Sequence, residues 1–213
     1  MTVLVEAAVD TFAGALAAQA DGVHRIELCG PLRDGGTTPS AGLIARCSEK
    51  LLVSVHVLIR PRAGDFVYSD DDIEIMSKDI AVAKEFGVDG VVIGALTADG
   101  EIDAETMSQL ITMASPMRVG FHRAFDQVRD QDEALELLVS LQVDHILTSG
   151  GAGTAMDGAG RIRQLVERAG DRIGIIAGGS ITAANVAELV RQTGVGIVHG
   201  RAFQGVPAAL AHC

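Results

Sequence analysis

Charged, imidazole and thiol side chains recur at or near the ends of short apolar runs, where a buried charge is costly unless it is paired or faces a polar cup. The set is Glu6, Glu27, Cys29, His56, Arg60, Arg62, Asp65, His122, Arg123, Asp126, Thr148, Ser149 and His199. Such groups bind anions, transfer protons or coordinate metal ions. Together they predict a functional site, although each one alone is also compatible with a structural ion pair.

The segment from Ile59 to Phe66 places two guanidinium groups beside a rigid proline and a glycine. Guanidinium groups match the geometry of carboxylates and phosphates, so Arg60 and Arg62 predict an anion-binding loop. The alternative is a loop held together by arginine–aspartate pairs, with Asp65 as the carboxylate.

A second polar segment, Phe-His-Arg-Ala-Phe-Asp, occupies residues 121–126. His122 can act as an acid, a base or a metal ligand, and Asp126 is close enough in sequence to orient it. Arg123 adds a third guanidinium for the anion, and His56 is predicted to contact the same ligand. The alternative is a histidine that is satisfied by hydrogen bonds beneath a loop.

Glycine-rich segments follow the last three apolar runs. They contain Ser149 ahead of two glycines, then Gly178 and Gly179, and finally Gly200. In barrels of alternating strands and helices, loops at these positions commonly hold phosphate through backbone N–H groups. The same glycines are equally compatible with tight strand-to-helix turns.

Two carboxylates, Glu6 and Glu27, are predicted to end the first two strands. They could form an acid/base pair if one of them were desolvated enough to hold a proton. They could also form salt bridges with Arg60 or Arg123, and this second interpretation is slightly favoured.

Cys29 follows the second apolar run, where a thiolate would be a soft ligand for Cu(I). A lone cysteine is more often a small buried apolar residue, and the chain has no Cys-x-x-Cys motif and no methionine cluster. Histidines such as His56 would select harder metals. Cys47 falls in a predicted helix and Cys213 is the last residue, so neither is given a role.

Apolar, β-branched runs alternate with helical patterns along the chain. Eight runs predict strands at residues 3–5, 24–28, 53–59, 90–93, 118–122, 145–148, 173–177 and 196–199. Seven segments predict helices at residues 11–20, 39–48, 70–86, 104–114, 131–141, 161–169 and 183–192. Ser69, Asp103, Asp130 and Thr182 are predicted to cap four of these helices.

This alternation predicts a parallel α/β fold, and eight units is the number that closes a TIM-type (β/α)8 barrel. A doubly wound open sheet is the main alternative. Only residues 207–212 remain for an eighth helix, so the final helix is predicted to be short or missing. A partner subunit is one way to cover the face that this leaves open.

The composition narrows the class of protein. The net charge is −11 and no basic stripe is present, which argues against a nucleic-acid partner. No targeting signal and no apolar run long enough for a membrane span occur, and the three cysteines are typical of reduced cytoplasmic thiols. We expect one domain over residues 1–213, because no linker or change in composition interrupts the chain.

Five segments together resemble the hallmark segments of the CutC family, which is named for copper homeostasis. These segments are residues 27–29, 35–40, 59–68, 121–126 and 147–150. The resemblance runs from Glu6 to about His199, and the arginine loop and the 121–126 segment are its most specific parts. It implies a TIM-type barrel, a cytoplasmic location, homo-oligomers (dimers or larger), and a role in copper handling.

The family's cysteine after the second strand has been proposed to bind copper, and Cys29 occupies that position. The chain departs from the family pattern at its C-terminus, where the family usually has a full final helix. It also has few of the additional cysteines and methionines that a dedicated copper carrier would need.

Three functions are considered on these grounds, and copper homeostasis is the one predicted. Copper homeostasis, with Cu(I) bound through Cys29, is the role that the resemblance implies. The alternative is a barrel enzyme that acts on a small anionic metabolite such as a phosphorylated one, with the arginines binding the anion and Glu6, Glu27 or His122 transferring protons. A sensor that binds the same anion without turnover is the third. The polar cup favours the enzyme, because copper binding requires none of these arginines.

Overall fold

Strands and helices alternate through the part of the chain that the computed structural model describes, residues 3–201 and 203–211. The strands are β1 (Leu4–Val9), β2 (Arg25–Leu28), β3 (Ser54–Leu58), β4 (Gly90–Ile93), β5 (Arg118–Phe121), β6 (His145–Thr148), β7 (Gly174–Gly178) and β8 (Ile197–Gly200). The helices are α1 (Phe12–Ala20), α2 (Ala41–Lys50), α3 (Asp70–Glu85), α4 (Ala104–Ala114), α5 (Gln131–Ser140), α6 (Ala159–Ala169), α7 (Val186–Thr193) and α8 (Val206–Leu210).

The strands form a closed parallel barrel in chain order. The ring closes where β8 pairs with β1, with Leu4 aligned to Ile197 and Glu6 aligned to His199. This pairing confirms the TIM-type barrel and excludes the open sheet, which would leave its two edge strands unpaired on one side. All the strands therefore direct their carboxyl ends to one face, where the following loops can build a cup.

The final helix is short, as predicted. Helix α8 has five residues, and Pro207 lies in its first turn, where the missing N–H of proline costs no hydrogen bond. The predicted end of this helix at His212 lies outside the described residues, as does Cys213.

Strand β1 is longer than predicted, because it extends to Val9 rather than ending at residue 5. Alanine has low strand propensity, so the Glu-Ala-Ala-Val sequence concealed the second half of this strand. Pairing with strands on both sides overrides that preference. The prediction that Glu6 ends the strand is therefore wrong: Glu6 lies inside it.

Side-chain caps begin three helices at the predicted positions. Ser69 and Asp72 form a reciprocal capping box at the start of α3. Asp103 accepts a backbone N–H at the start of α4, and Asp130 accepts two at the start of α5. These caps satisfy N–H groups that have no partner within the helix.

Two other helices begin later than predicted. Helix α2 is capped by Ser40, whose hydroxyl accepts the N–H of Leu43 at 3.3 Å, so Pro39 precedes the helix. The predicted cap at Thr182 is wrong, because its N–H donates to the side chain of Asn185 at 2.9 Å and α7 starts after Asn185. A polar turn therefore occupies what the pattern assigned to the first turn of the helix.

Apolar side chains fill the layer between the barrel and its helices, whereas the barrel interior is partly polar. The buried interior groups are Glu6, Arg25, Glu27, His56 and His145. A separate small apolar cluster lies nearer the carboxyl ends of the strands and consists of Ala8, Cys29, Leu58 and Val92. Buried polar groups require partners, so this interior indicates a network rather than ordinary packing.

Glycines on adjacent strands make room for two interior imidazoles. A Cβ atom at Gly90 would lie 2.8 Å from Cε1 of His56, and one at Gly174 would lie 2.8 Å from Cδ2 of His145. These distances are too short for real Cβ atoms, so the glycines are required by the histidines beside them.

None of the described helices has the length and apolar character that a membrane span requires.

Candidate functional site

A cavity of about 580 Å³ opens at the carboxyl ends of the strands, within the size range of small-molecule sites. Its polar lining consists of Glu27, Cys29, Arg60, His122, Arg123, Ser180, Thr182, His199 and Arg201. Apolar side chains, including Leu58, Phe66 and Leu147, complete it, together with glycines from the loops after β2, β6 and β7 and the glycine that ends β8.

Four ionisable side chains from β1, β2 and β8 form what we call the carboxylate cluster: Glu6, Arg25, Glu27 and His199. Arg25 donates from Nε to one oxygen of Glu6. Nδ1 of His199 lies 2.7 Å from the other oxygen of Glu6 and 3.3 Å from Oε2 of Glu27. Glu27 and His199 line the cavity, whereas Glu6 and Arg25 lie in the barrel interior beneath them.

The two carboxylates of this cluster have opposite proton affinities. Burial alone would raise the pKa of Glu6, but the hydrogen bond from His199 and the charge of Arg25 outweigh it and lower that pKa to about 2. At Glu27 burial dominates, and with the charge of Glu6 it raises the pKa to about 7. Burial opposes the charged form of His199, yet the two carboxylates prevail and raise its pKa.

His122 lies on another side of the cavity, directly after β5. It is 5% exposed, and its Nδ1 accepts the backbone N–H of Ala124 at 3.2 Å. Burial, followed by the charge of Arg60, lowers the pKa of His122 to about 3, so its ring is neutral. Phe66 packs on it with ring centroids 4.7 Å apart, and a Cβ at Gly94 would lie 2.5 Å from its Cε1.

The cavity contains three guanidinium groups in different settings. Arg60 is 7% exposed, and its hydrogen-bond partners among the described residues are carbonyl oxygens, including that of Gly36 at 2.7 Å and that of Gly64 at 2.8 Å. Arg123 pairs with Asp126 at 2.8 Å and donates to the hydroxyl of Ser149 at 2.6 Å. Arg201 is exposed at the rim.

Asp126 organises the loop that follows β6. It accepts the hydroxyl of Thr148, the backbone N–H and hydroxyl of Ser149, and the N–H of Gly151. With the ion pair to Arg123, these bonds hold the loop to one wall of the cavity. Asp126 itself does not line the cavity, and it bonds to backbone N–H groups, hydroxyls and Arg123 rather than to the imidazole that it was predicted to orient.

The donor atoms do not fit a tight Cu(I) site. Cys29 lines the cavity, but burial and the charges of Glu27 and Glu6 raise the pKa of its thiol well above the usual value, which disfavours the thiolate that Cu(I) needs. Its Sγ donates to the carbonyl of Glu27 at 3.6 Å, and no methionine of the described residues lines the cavity. A protonated thiol is therefore the only soft donor that the described residues place in the cavity.

A harder metal ion is no better accommodated. One potential donor atom from each of Glu6, Glu27 and His199 lies within 4.8 Å of the other two. A cation at that point would displace the His199 hydrogen bonds and would lie beside the guanidinium of Arg25. We therefore treat the cluster as a hydrogen-bonded ion network.

The structure brings together only part of the predicted site. Eight of the predicted residues line the cavity: Glu27, Cys29, Arg60, His122, Arg123, Gly179, His199 and Gly200. Ser149 and Gly178 are buried behind its wall, and His56 lies deeper, among the interior groups. The favoured salt bridges of the two glutamates with Arg60 or Arg123 do not form, because Glu6 pairs with Arg25 and His199 instead.

Arg62 is placed away from the cavity. Its guanidinium pairs with Asp72 at 3.1 Å and with Asp65 at 3.0 Å, and it also donates to the carbonyl of Val67 at 2.6 Å. The loop-stapling alternative therefore describes Arg62, whereas Arg60 faces the cavity.

Sequence reasoning missed Arg25, gave Arg201 no role, and included His199 among the polar residues of the site without assigning it a role. Arg25 is two residues before Glu27, so the two-residue period of a strand directs both to the barrel interior, and this spacing was an available signal. Arg201 follows the glycine that ends β8, at the end of the barrel where loops line the site. Gly94 carried no sequence signal, because its role depends on the ring beside it.

A closed barrel with an arginine-lined cavity at its carboxyl face defines a TIM-type protein. The CutC family model matches residues 3–204, and the chain belongs to the CutC family. A CutC family protein from Mesorhizobium japonicum is 44% identical over 209 residues, which cover 98% of this chain and 81% of that protein.

Two further relatives are a human protein with a copper-related name and a bacterial protein with a solved crystal structure. The copper homeostasis protein cutC homolog of Homo sapiens is 44% identical over 196 residues, covering 92% of this chain and 72% of that protein. The crystal structure of a CutC protein from Streptococcus agalactiae superposes with a TM-score of 0.91 at 36% identity, covering 94% of this chain and 99% of that one.

Proposed function

We propose that the protein binds a small anionic metabolite in the cavity and acts on it by proton transfer. The observation that carries this proposal is the charge of the lining: Arg60, Arg123 and Arg201 face a cavity to which Glu27 contributes the one carboxylate among the described residues. The chain as a whole has a net charge of −11, so this concentration of positive charge is opposite to the overall balance.

Arg60 is the strongest anchor for an anion. It is buried, and its partners among the described residues are neutral carbonyls, so its positive charge is not cancelled by an adjacent carboxylate. A buried unpaired charge is costly, and a bound anion would offset that cost. Arg123 and Arg201 add charge at the wall and rim, where they would attract the anion and orient it.

Glu27 supplies the proton-transfer group. Because burial raises its pKa to about 7, both protonation states are populated near neutral pH, which suits a general acid or base. His199 contacts Glu27 in the cavity, Glu6 contacts His199, and Arg25 pairs with Glu6. Glu27 and His199 are thus the reacting candidates, and Glu6 and Arg25 are positioning residues.

The names of the relatives support a role in copper homeostasis for this protein as well. We propose that this role is indirect and operates through the anionic metabolite, because the cavity offers Cu(I) one protonated thiol beside three cations. Direct Cu(I) binding through Cys29 is the alternative. If Cys29→Ser weakens Cu(I) binding at least tenfold in a competition titration and Cys47→Ser does not, direct binding replaces the indirect role.

Anion binding tests the proposed function directly. Titrations of inorganic phosphate and of a panel of sugar phosphates and carboxylates, followed by calorimetry and thermal shift, should reveal a ligand that stabilises the folded protein. Arg201→Gln and Arg123→Gln should each weaken binding by about tenfold, the equivalent of ~1.4 kcal/mol. Arg163→Gln removes the same charge from the exposed face of α6 and should leave affinity unchanged.

Equal effects of the Arg201 and Arg163 substitutions would show that only the net charge matters and would contradict a cavity site. A ligand that binds but is returned unchanged, with no exchange or conversion of any bond, would favour the sensor over the enzyme.

A further inference from the structure

His122 has one ring nitrogen without a partner in the described part of the chain. Its Nδ1 accepts the N–H of Ala124, so in the neutral ring the hydrogen is on Nε2. Nε2 is buried and no acceptor within the described residues reaches it. Because His122 lines the cavity and is 5% exposed, this N–H is a buried donor in the cavity wall that has no partner among the described residues.

The ring is held so that this donor stays neutral and fixed. The Ala124 N–H prevents protonation at Nδ1, and burial together with the charge of Arg60 lowers the pKa of His122 to about 3. Phe66 packs on one side, and the ring lies so close to Gly94 that a methyl group would not fit between them. A preorganised neutral donor is suited to an oxygen on which negative charge develops during reaction.

One common way of activating a carbonyl group is a Schiff base with a lysine, and the cavity does not provide it. Its three lysines, Lys50, Lys78 and Lys84, lie exposed on α2 and α3. No lysine lines the cavity, so no lysine Schiff base can form there. Polarisation by a hydrogen-bond donor is the route that the cavity does offer.

We propose that the anion is a carbonyl compound with a hydrogen on the neighbouring carbon, and that the cavity enolises it with His122 and Glu27. This inference rests on the proposed function and names its substrate class, an α-hydroxy or α-unsubstituted aldehyde or ketone that carries a phosphate or carboxylate. Nε2–H of His122 donates to the carbonyl oxygen, the Glu27 carboxylate removes the proton on the neighbouring carbon, and the arginines hold the anionic group.

The step balances without a further reactant. The C–H bond breaks and its electron pair forms the C=C bond of the enolate, while the π electrons of the carbonyl move to its oxygen. Glu27 holds the proton as a carboxylic acid beside His199 and then returns it to carbon, which restores the carbonyl. Exchange of the held proton with solvent labels the substrate. In a hydroxy-carbonyl compound, return of the proton to the former carbonyl carbon would give an isomer, with the hydroxyl proton passing to the enolate oxygen as the new carbonyl forms.

Deuterium exchange tests this inference. The protein is incubated in D2O with glycolaldehyde phosphate, dihydroxyacetone phosphate, glyceraldehyde 3-phosphate, ribulose 5-phosphate or pyruvate, and loss of the α-hydrogen signal is followed by NMR. We expect at least one probe to bind and to exchange faster than it does without protein. Glu27→Gln and His122→Phe should each slow that exchange by about 100-fold or more.

Matched variants separate chemistry from folding. His122→Gln keeps a side-chain N–H donor, so it should retain more exchange than His122→Phe at comparable thermal stability. His24→Gln changes an exposed histidine next to the amino end of β2 and should leave exchange unaltered. Probe affinity should change only a few-fold in the His122 variants, because the arginines bind the anionic group in both.

The other outcomes distinguish failure of the enolisation from failure of the proposed function. If a probe binds without exchange, if exchange is equally fast in the Glu27 and His122 variants, or if phosphate binds and no carbonyl probe does, enolisation is wrong and anion binding stands. If neither phosphate nor any probe binds, the proposed function fails together with this inference.

Discussion

Two sides of the cavity bury ionisable groups in opposite ways. The carboxylate cluster surrounds His199 with charged partners. The donor side, which we define as Arg60 and His122, contains a guanidinium bonded to carbonyls and an imidazole whose N–H has no partner among the described residues. Burial disfavours the charged form of both histidines, yet the pKa of His199 is raised and that of His122 is lowered to about 3.

The difference teaches that burial does not decide the protonation state of a histidine in this barrel. Two neighbouring carboxylates reverse the effect of burial at His199, and the nearby Arg60 reinforces it at His122. One side can therefore hold and release a proton, while the other can only donate a hydrogen bond. These are complementary roles around one cavity.

The largest expected effect comes from opening the carboxylate cluster. Glu6→Ala leaves Arg25 and His199 buried without the carboxylate that pairs with both, so we expect a loss of about 3–5 kcal/mol in the free energy of unfolding. Urea denaturation at pH 7 measures it. Glu136→Ala, which removes an exposed carboxylate paired with Arg172, should cost far less, and equal losses in the two variants would contradict a buried cluster.

Acidification is expected to destabilise the protein because three buried histidines remain neutral when it is folded. Burial is the main cause that lowers the pKa to about 4 at His56, about 3 at His122 and about 4 at His145. Below about pH 6.5 the unfolded chain therefore binds up to three more protons at these sites. Glu27, with its pKa raised to about 7, binds one more proton in the folded state between about pH 4.5 and 7 and offsets one of them.

The net excess of about two protons in the unfolded state predicts a loss of about 2–3 kcal/mol per pH unit between pH 6 and pH 5. Urea midpoints at pH 7, 6 and 5 measure this slope. His56→Gln should reduce this slope by the contribution of one proton. Stability that rises as the pH falls from 6 to 5 would mean that the carboxylate cluster, not the neutral histidines, controls the response.

The loop held by Asp126 gives a smaller effect. In Asp126→Asn one acceptor oxygen becomes an amide that faces N–H groups, so we expect about 1.5–3 kcal/mol of destabilisation and weaker anion binding as Arg123 loses its partner. Asp103→Asn is a suitable control, since asparagine caps helices nearly as well as aspartate. An unchanged anion affinity in Asp126→Asn would show that the position of Arg123 does not matter for anion binding.

The smallest expected change in stability tests whether the His122 ring on the donor side is held against Gly94. Gly94→Ala would place a methyl group 2.5 Å from Cε1 of His122, so the ring must shift, at a cost of about 1–2 kcal/mol. Gly160→Ala adds the same methyl group to α6 with nothing within 4 Å and should stabilise by about 0.5–1 kcal/mol. A stabilising effect at Gly94 would show that the His122 ring is not held against it.

The barrel was predictable because strand and helix periods are local properties of the chain. Apolar runs near Gly90 and His145, and caps at Ser69 and Asp103, specify their elements without distant contacts. The length of β1 was not predictable in the same way, since its alanines become a strand only through pairing with β2 and β8.

The candidate site was predictable in its residue types and only partly in its arrangement. Arg60, His122 and Arg123 were found because polar groups at strand ends converge on one face of a barrel. Arg62 was misplaced, although it is two residues from Arg60, because the chain turns between them and directs one guanidinium inward and the other to Asp72.

The amino-acid sequence alone determines the order of the elements, the closed barrel, the short final helix and the family. Each of these depends on a local pattern or on contiguous motifs. Tertiary structure alone decided the protonation of the buried groups. Glu6, Arg25 and His199 are far apart in sequence and meet through the pairing of β1 with β2 and β8. Since a pKa depends on the charges and solvent within a few ångströms, only those through-space contacts separate an acid/base pair from a neutral donor.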